Sequence, residues 1–167
     1  RDFFKRALAC ELDVRKVLVR SRDKRRAVRI PGELLTTDPA AIIDDPNIQI
    51  VVELIGGEEP AHRYIREALE RGKHVVTANK EVIAKHGPGL LRLAAENGVD
   101  LFFEASVGSG IPVVGALRHD LVANEIKTIQ AIINGTTNFI LTAMSQGRAY
   151  GAALGPAPEL GYAEADP

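Results

Sequence analysis

Cysteine is almost absent from this chain: Cys10 stands alone among 167 residues. A single thiol excludes an internal disulfide framework and cannot by itself build a cysteine-rich zinc site, so a reducing compartment, the cytoplasm, is the expectation. No apolar run approaches the roughly 18–20 residues that a membrane-spanning helix needs. The opening Arg1-Asp2-Phe3-Phe4-Lys5-Arg6 lacks the layout of a secretory signal, and a soluble protein without membrane partners is expected. Nor is there an excess of either charge: a formal net charge of −1 argues against a general nucleic-acid binder. What remains, 46% hydrophobic and 26% charged, is the make-up of an ordinary globular protein. The length allows one domain or parts of two.

Charge does crowd locally. Arg20, Arg22, Lys24, Arg25, Arg26 and Arg29 fall in one short segment, which reads either as a solvated connection after a strand or as a phosphate-binding patch. Around it, short apolar runs alternate with amphipathic stretches, the pattern of a parallel sheet covered by helices. Arg15–Val19, Ile48–Ile55, His74–Thr77 and Asp100–Phe103 are rich in Val, Ile, Leu or Phe and bounded by charge or Gly, and each is predicted to be a buried strand. Between the second and third, Pro60 stands at a helix first turn. Ala61, Tyr64, Ile65, Ala68 and Leu69 follow on one face, and Gly72 supplies the stop. A second crossover helix is predicted from about Pro88 to Asn97, with Leu90, Leu91, Ala94 and Ala95 apolar and Gly98 as breaker.

In an open α/β sheet the ligand lies beyond the carboxyl ends of the strands. The turns there are built from small residues and single charges: Arg20 after the first strand, Gly56-Gly57 after the second, Thr77-Ala78-Asn79-Lys80 after the third, and Glu104 to Pro112 after the fourth. A glycine pair makes a sharp turn or lets a backbone approach a flat ring or phosphate. An Arg at the end of a dinucleotide fold's second strand can pair with a 2′-phosphate, which points to NADP at Arg20; a surface Arg looks the same. Lys80, held in a short loop, is either solvated or able to polarise a carbonyl beside the nicotinamide.

Four motifs carry a family resemblance. His74-Val75-Val76-Thr77-Ala78-Asn79-Lys80, Phe103-Glu104-Ala105-Ser106-Val107-Gly108-Ser109-Gly110-Ile111-Pro112, Asn134-Gly135-Thr136-Thr137-Asn138-Phe139-Ile140 and Gly161-Tyr162-Ala163-Glu164-Ala165-Asp166-Pro167 match, in order and spacing, the signatures of homoserine dehydrogenases. Val52-Glu53-Leu54-Ile55-Gly56-Gly57 fits as well, and the similarity runs from about Val14 onward.

The resemblance implies an α/β fold: a partial Rossmann-type parallel sheet with helices over residues 1–123, followed at 124–167 by the start of an α+β substrate-binding and dimerisation domain. That second part would open with a strand over Glu125–Ile133 and a helix over Thr136–Met144, where Phe139, Ile140 and Ala143 form an apolar stripe. The resemblance further implies NADP or NAD as cofactor, contacted by Arg20, Gly56, Thr77, Lys80 and Gly161. Lys80 would take the catalytic position between cofactor and substrate. Gly135, Thr136 and Glu164 would bind the substrate. A monovalent cation such as Na+ would be held by the Glu104 side chain and the carbonyls of Val107, Ser109 and Ile111, hard oxygen ligands on a tight turn. A homodimer is implied too.

The activity implied is reversible hydride transfer between the nicotinamide and aspartate semialdehyde, giving homoserine on the route to threonine, methionine and isoleucine. The family's Gly-x-Gly-x-x-Gly turn, which cradles the pyrophosphate, has no counterpart in this sequence, and the acidic substrate ligand and proton-donating lysine that follow the family's Asp-Pro pair are not in it either. Pro156 and Pro158 would break the helix that leads to the Gly161 motif. Without a first strand, an edge and apolar surface would be exposed and the isolated chain prone to association. Two other readings stand beside this one: a catalytically incompetent module that keeps the fold, and another semialdehyde or sugar oxidoreductase, against which the Asn134 and Gly161 motifs count.

Overall fold

A computed structural model describes residues 10–108, 110–132 and 135–154. The chain divides into two compact units, Arg1–Leu121 and Val122–Pro167. In the first, β1 (Val17–Leu18) pairs in parallel with β2 (Leu35–Thr36), and the short helix α1 (Ala40–Ile43) follows. A second sheet then runs β3 (Ile50–Glu53), helix α2 (Ala61–Glu70), β4 (His74–Thr77), helix α3 (Lys80–Glu96) and β5 (Leu101–Phe102), all parallel in the order β3-β4-β5. This is the predicted strand, helix, strand, helix, strand.

Alternation along each strand splits the sheet into two unlike faces. Val51, Val75 and Leu101 point to α2 and α3, where Ala61, Ile65, Ala68, Leu69, Val82, Leu90 and Ala94 complete the core. On the other face Val52, Val76 and Phe102 stand in one register row and remain 59%, 36% and 52% exposed. A groove of about 900 Å³ is lined by residues of β1 and β3 together with Ile42, Ile43, Tyr64 and Ile65.

The helices end as their glycines dictate. Gly72 (φ 69°) donates its N–H to the Leu69 carbonyl at 3.0 Å while Lys73 N–H reaches Ala68 at 3.0 Å, a left-handed closure that satisfies the last carbonyls of α2. Gly98 (φ 66°) closes α3 in the same way, with Val99 N–H on the Ala94 carbonyl at 3.0 Å. Lys73 is 4% exposed, and its ammonium donates to the carbonyls of Asp45 at 2.5 Å and Ile48 at 2.7 Å. It thereby ties the turn before β3 to the start of β4.

Three expectations differ from what is observed. The helix predicted from Pro88 begins at Lys80, because the Asn79 side chain accepts the Val82 N–H at 3.1 Å as an N-cap. Pro88 lies inside that helix, and Lys80 belongs to its first turn, where a loop was expected. The strand predicted over Glu125–Ile133 does not form among described residues 125–132, which have no ladder partner there to satisfy an extended backbone. Finally, Pro60 caps α2 from outside, as the residue before its first turn.

After the Ile111 turn, helix α4 (Val113–Gly115) continues as a π-helix over Ala116–Asp120. The second unit holds helices α5 (Gly135–Ser145) and α6 (Tyr150–Leu154). Ile140, Ala143 and Ala153 form its small core, with Phe139 and Leu154 against them.

Candidate functional site

The carboxyl ends of β3, β4 and β5 come together around a buried carboxylate. Glu53 closes β3 and Thr77 closes β4, paired across the ladder. The Thr77 hydroxyl donates to Glu53 Oε2 at 2.6 Å. The other oxygen, Oε1, accepts the backbone N–H of Ile55 at 2.6 Å and that of Gly56 at 3.4 Å. Glu53 is 4% exposed, so a carboxylate here needs such donors to offset lost hydration.

The network continues outward. Thr77 Oγ1 accepts the Asn79 N–H at 3.0 Å, Asn79 Nδ2 donates to the Gly57 carbonyl at 2.7 Å, and Ser106 Oγ donates to the Thr77 carbonyl at 3.1 Å. Three turns from three strands are thus bolted together. Gly56 and Gly57 adopt φ of 77° and 71°. A Cβ on either would meet nothing within 4 Å, so glycine is required by the backbone conformation, and the surface above the pair is open to a flat ligand.

Lys80 is exposed in the first turn of α3, directly after the Asn79 cap. Thr77 is 1% exposed, and its hydroxyl and carbonyl are both engaged within the protein. Arg20 is exposed two residues past β1. Within the same basic segment Arg22 donates to the Gly32 carbonyl and Arg26 to the carbonyls of Ser21, Arg22 and Lys24, so these two cations brace their own loop.

Glu104 serves as a helix cap. Its Oε1 and Oε2 accept the N–H groups of Val114 and Gly115, each at 2.8 Å, and Gly115 permits the approach, since a Cβ there would lie 3.3 Å from Oε2. The turn between is closed by Val107 N–H on the Glu104 carbonyl and Ile111 N–H on the Gly108 carbonyl, both 3.1 Å. The Ile111 carbonyl accepts the Val113 N–H at 2.8 Å. Among the described residues no three His, Cys, Asp or Glu side chains gather as a metal cluster.

Gly135 and Thr136 open α5 in the second unit. Ser109, Gly161 and Glu164, with Pro156 and Pro158, lie outside the described residues. Sequence reasoning assigned no role to Glu53 or Asn79. The signal for Glu53 was a lone charge inside the apolar run Ile48–Ile55, since a charge in a buried strand must be paired.

Beyond this centre, Glu58 follows the glycine turn and receives Lys85 at 2.6 Å and His86 at 2.8 Å from α3. Bonding to Lys85 first and His86 second holds the Glu58 carboxyl below its ordinary value, and the same contact raises Lys85. His62 stacks on His86 with ring centroids 3.9 Å apart. A surface hollow of about 590 Å³ lies there, on the helix side of the sheet.

A parallel α/β sheet whose carboxyl-end turns are an open glycine pair and a capped helix start defines a protein of the dinucleotide-binding α/β class. A family model described as the NAD-binding domain of homoserine dehydrogenase matches residues 2–104, and one described as homoserine dehydrogenase matches residues 112–167. The chain belongs to the homoserine dehydrogenase family. It is 51% identical over 157 residues to the homoserine dehydrogenase of Synechocystis, covering 93% of this chain and 36% of the relative. The Staphylococcus aureus homoserine dehydrogenase solved at pH 8.5 superposes with a TM-score of 0.78 at 40% identity, covering 100% of this chain and 39% of that one. A hyperthermophilic archaeal homoserine dehydrogenase in complex with NADPH superposes at 0.68 with 39% identity, over 78% of this chain and 40% of that one. The chain spans little more than a third of the length of these proteins. Among the described residues no helix is long and apolar enough to cross a membrane.

Proposed function

We propose that this chain is the cofactor-binding part, with the beginning of the substrate-binding part, of an NADP- or NAD-dependent homoserine dehydrogenase acting on aspartate semialdehyde. The observation that carries the reading is the fixed turn at Gly56-Gly57, open above and braced by Glu53 and Asn79, beside the helix start that presents Lys80. The bound nicotinamide would supply the hydride that reduces the aldehyde carbon. The residues of this chain bind and orient. Gly56 leaves room for a ring against the backbone, Thr77 and Asn79 hold the turn, and the Lys80 cation, in the first turn of α3, would attract a carbonyl oxygen as negative charge develops. Arg20, exposed after β1, suits the 2′-phosphate of NADP.

Gly135 and Thr136 at the start of α5, with Glu164, take the polar substrate, and Gly161 approaches the cofactor. A monovalent cation is assigned to the turn of Glu104, Val107, Ser109 and Ile111. The Glu104 carboxylate already accepts two backbone amides, so it would share its oxygens between the α4 start and the ion. The protein is assigned to the cytoplasm as a homodimer that pairs through residues 124–167.

The test is NADPH oxidation with aspartate semialdehyde, on this chain alone and on a chimera in which it replaces the matching region of the Synechocystis enzyme. NADH, Na+-free buffer and a Lys80→Ala variant run alongside. Turnover by the chimera that Lys80→Ala abolishes supports the reading. A folded chimera inert toward the semialdehyde sinks it, and a non-catalytic module or another oxidoreductase takes its place.

A further inference from the structure

We infer that Glu53 is a positioning residue: its buried carboxylate sets the Gly56-Gly57 turn, and through it the seat of the nicotinamide end of the cofactor. The inference rests on the reading of the site just given. It concerns a side chain that touches neither ligand in that reading.

The geometry is specific. One carboxylate oxygen takes the Ile55 and Gly56 amides, at 2.6 and 3.4 Å, and so dictates which way the backbone faces at the turn. The other takes the Thr77 hydroxyl at 2.6 Å, which in turn accepts the Asn79 amide at 3.0 Å. Asn79 then holds the Gly57 carbonyl at 2.7 Å. The glycine pair is gripped at both ends from beneath, and both grips trace back to Glu53. Consecutive left-handed glycines have no side chains to lock them and many accessible conformations, so without these bonds the turn loses its shape. Every contact of the carboxylate is a donor. A neutral isostere therefore breaks the pattern without changing the volume, turning a donor on at least one partner.

A structural bolt at the nicotinamide seat affects that half of the cofactor alone. The test measures binding of NADPH and of 2′-phospho-ADP-ribose, which lacks the nicotinamide, to the full-length chimera and its variants, with thermal melting of each. Glu53→Gln and Thr77→Val should each weaken NADPH about tenfold, as loss of a charged buried hydrogen bond predicts, and leave 2′-phospho-ADP-ribose within about twofold of wild type. Thr77→Ser, which keeps the hydroxyl, should retain wild-type NADPH affinity.

Equal losses for both ligands, or no loss in either variant, overturn the proposal, because a general loosening of the fold would not single out the nicotinamide. Thr77→Val approaches the carboxylate from the opposite side, so poor folding of the Glu53 variant leaves the outcome decisive. Wild-type chimera that binds neither NADPH nor NADH overturns the reading of the site itself; one that binds NADH alone is tested in the same way with NADH and ADP-ribose. Wild type that prefers NADPH beside an unchanged Glu53→Gln overturns this inference only.

Discussion

The Glu53 carboxylate and the Thr77 hydroxyl, paired last residues of adjacent strands, meet at 2.6 Å inside a region that water does not reach. Removing the hydroxyl leaves an oxygen of a buried charged group without its donor. Thr77→Val should therefore lower the stability of the chain by about 2 kcal/mol in urea unfolding, while Thr77→Ser changes it by less than about 1 kcal/mol. Equal midpoints for the two variants would show that the bond contributes nothing.

Lys73 is a second buried charge with a structural duty. Its ammonium serves the Asp45 and Ile48 carbonyls together, and an aliphatic replacement of similar length strands both. Lys73→Met should cost about 2–3 kcal/mol by the same assay. A gain in stability would mean that burying the charge costs more than its bonds return.

The Glu58–Lys85 pair gives a signed pH dependence. Glu58 is held below its ordinary 4.5, by Lys85 first and His86 second, so its contribution is present above that pH and fades as pH falls through the lowered value. Lys85 is raised above its ordinary 10.5, by Glu58 first and Glu81 second; its contribution is complete below 10.5 and fades as pH climbs beyond. Both side chains are partly open to solvent, at 37% and 49%, and screening keeps the effect small. The gap in urea midpoint between wild type and Lys85→Gln should hold from about pH 6 to 9 and close at both extremes. A gap that stays constant from acid to alkali would refute the assignment.

The exposed row Val52, Val76 and Phe102 should make the isolated chain self-associate, since contiguous apolar surface of this kind seeks cover. Sedimentation velocity at micromolar concentration should show oligomers for wild type and monomer for Val52→Thr/Phe102→Thr, threonine being kept for its strand preference. Identical sedimentation of the two would place the contact elsewhere.

Much of this was readable in one dimension. Ile50–Glu53 and His74–Thr77 fall within runs whose β-branched residues and bounding glycine and charge announce strands, and Gly72 and Gly98 announce left-handed helix ends because only glycine takes that conformation without strain. The family motifs follow from order and spacing alone. The start of α3 was misread because Pro88 looks like a first-turn proline, whereas an Asn79 cap nine residues earlier had already begun the helix.

The amino-acid order by itself thus determined the parallel α/β class and the turns that carry the candidate site, which depend on local periodicity and on residue types at short spacing, and it carries the motifs by which the chain resembles its family. Tertiary structure alone decided which face of the sheet is covered and that Thr77 turns its hydroxyl inward. It alone gave Glu53, Asn79 and Gly57 a common network. Those bonds join residues 22 and 24 positions apart in sequence, and a hydrogen bond of that kind exists only once strand pairing has brought its ends within reach.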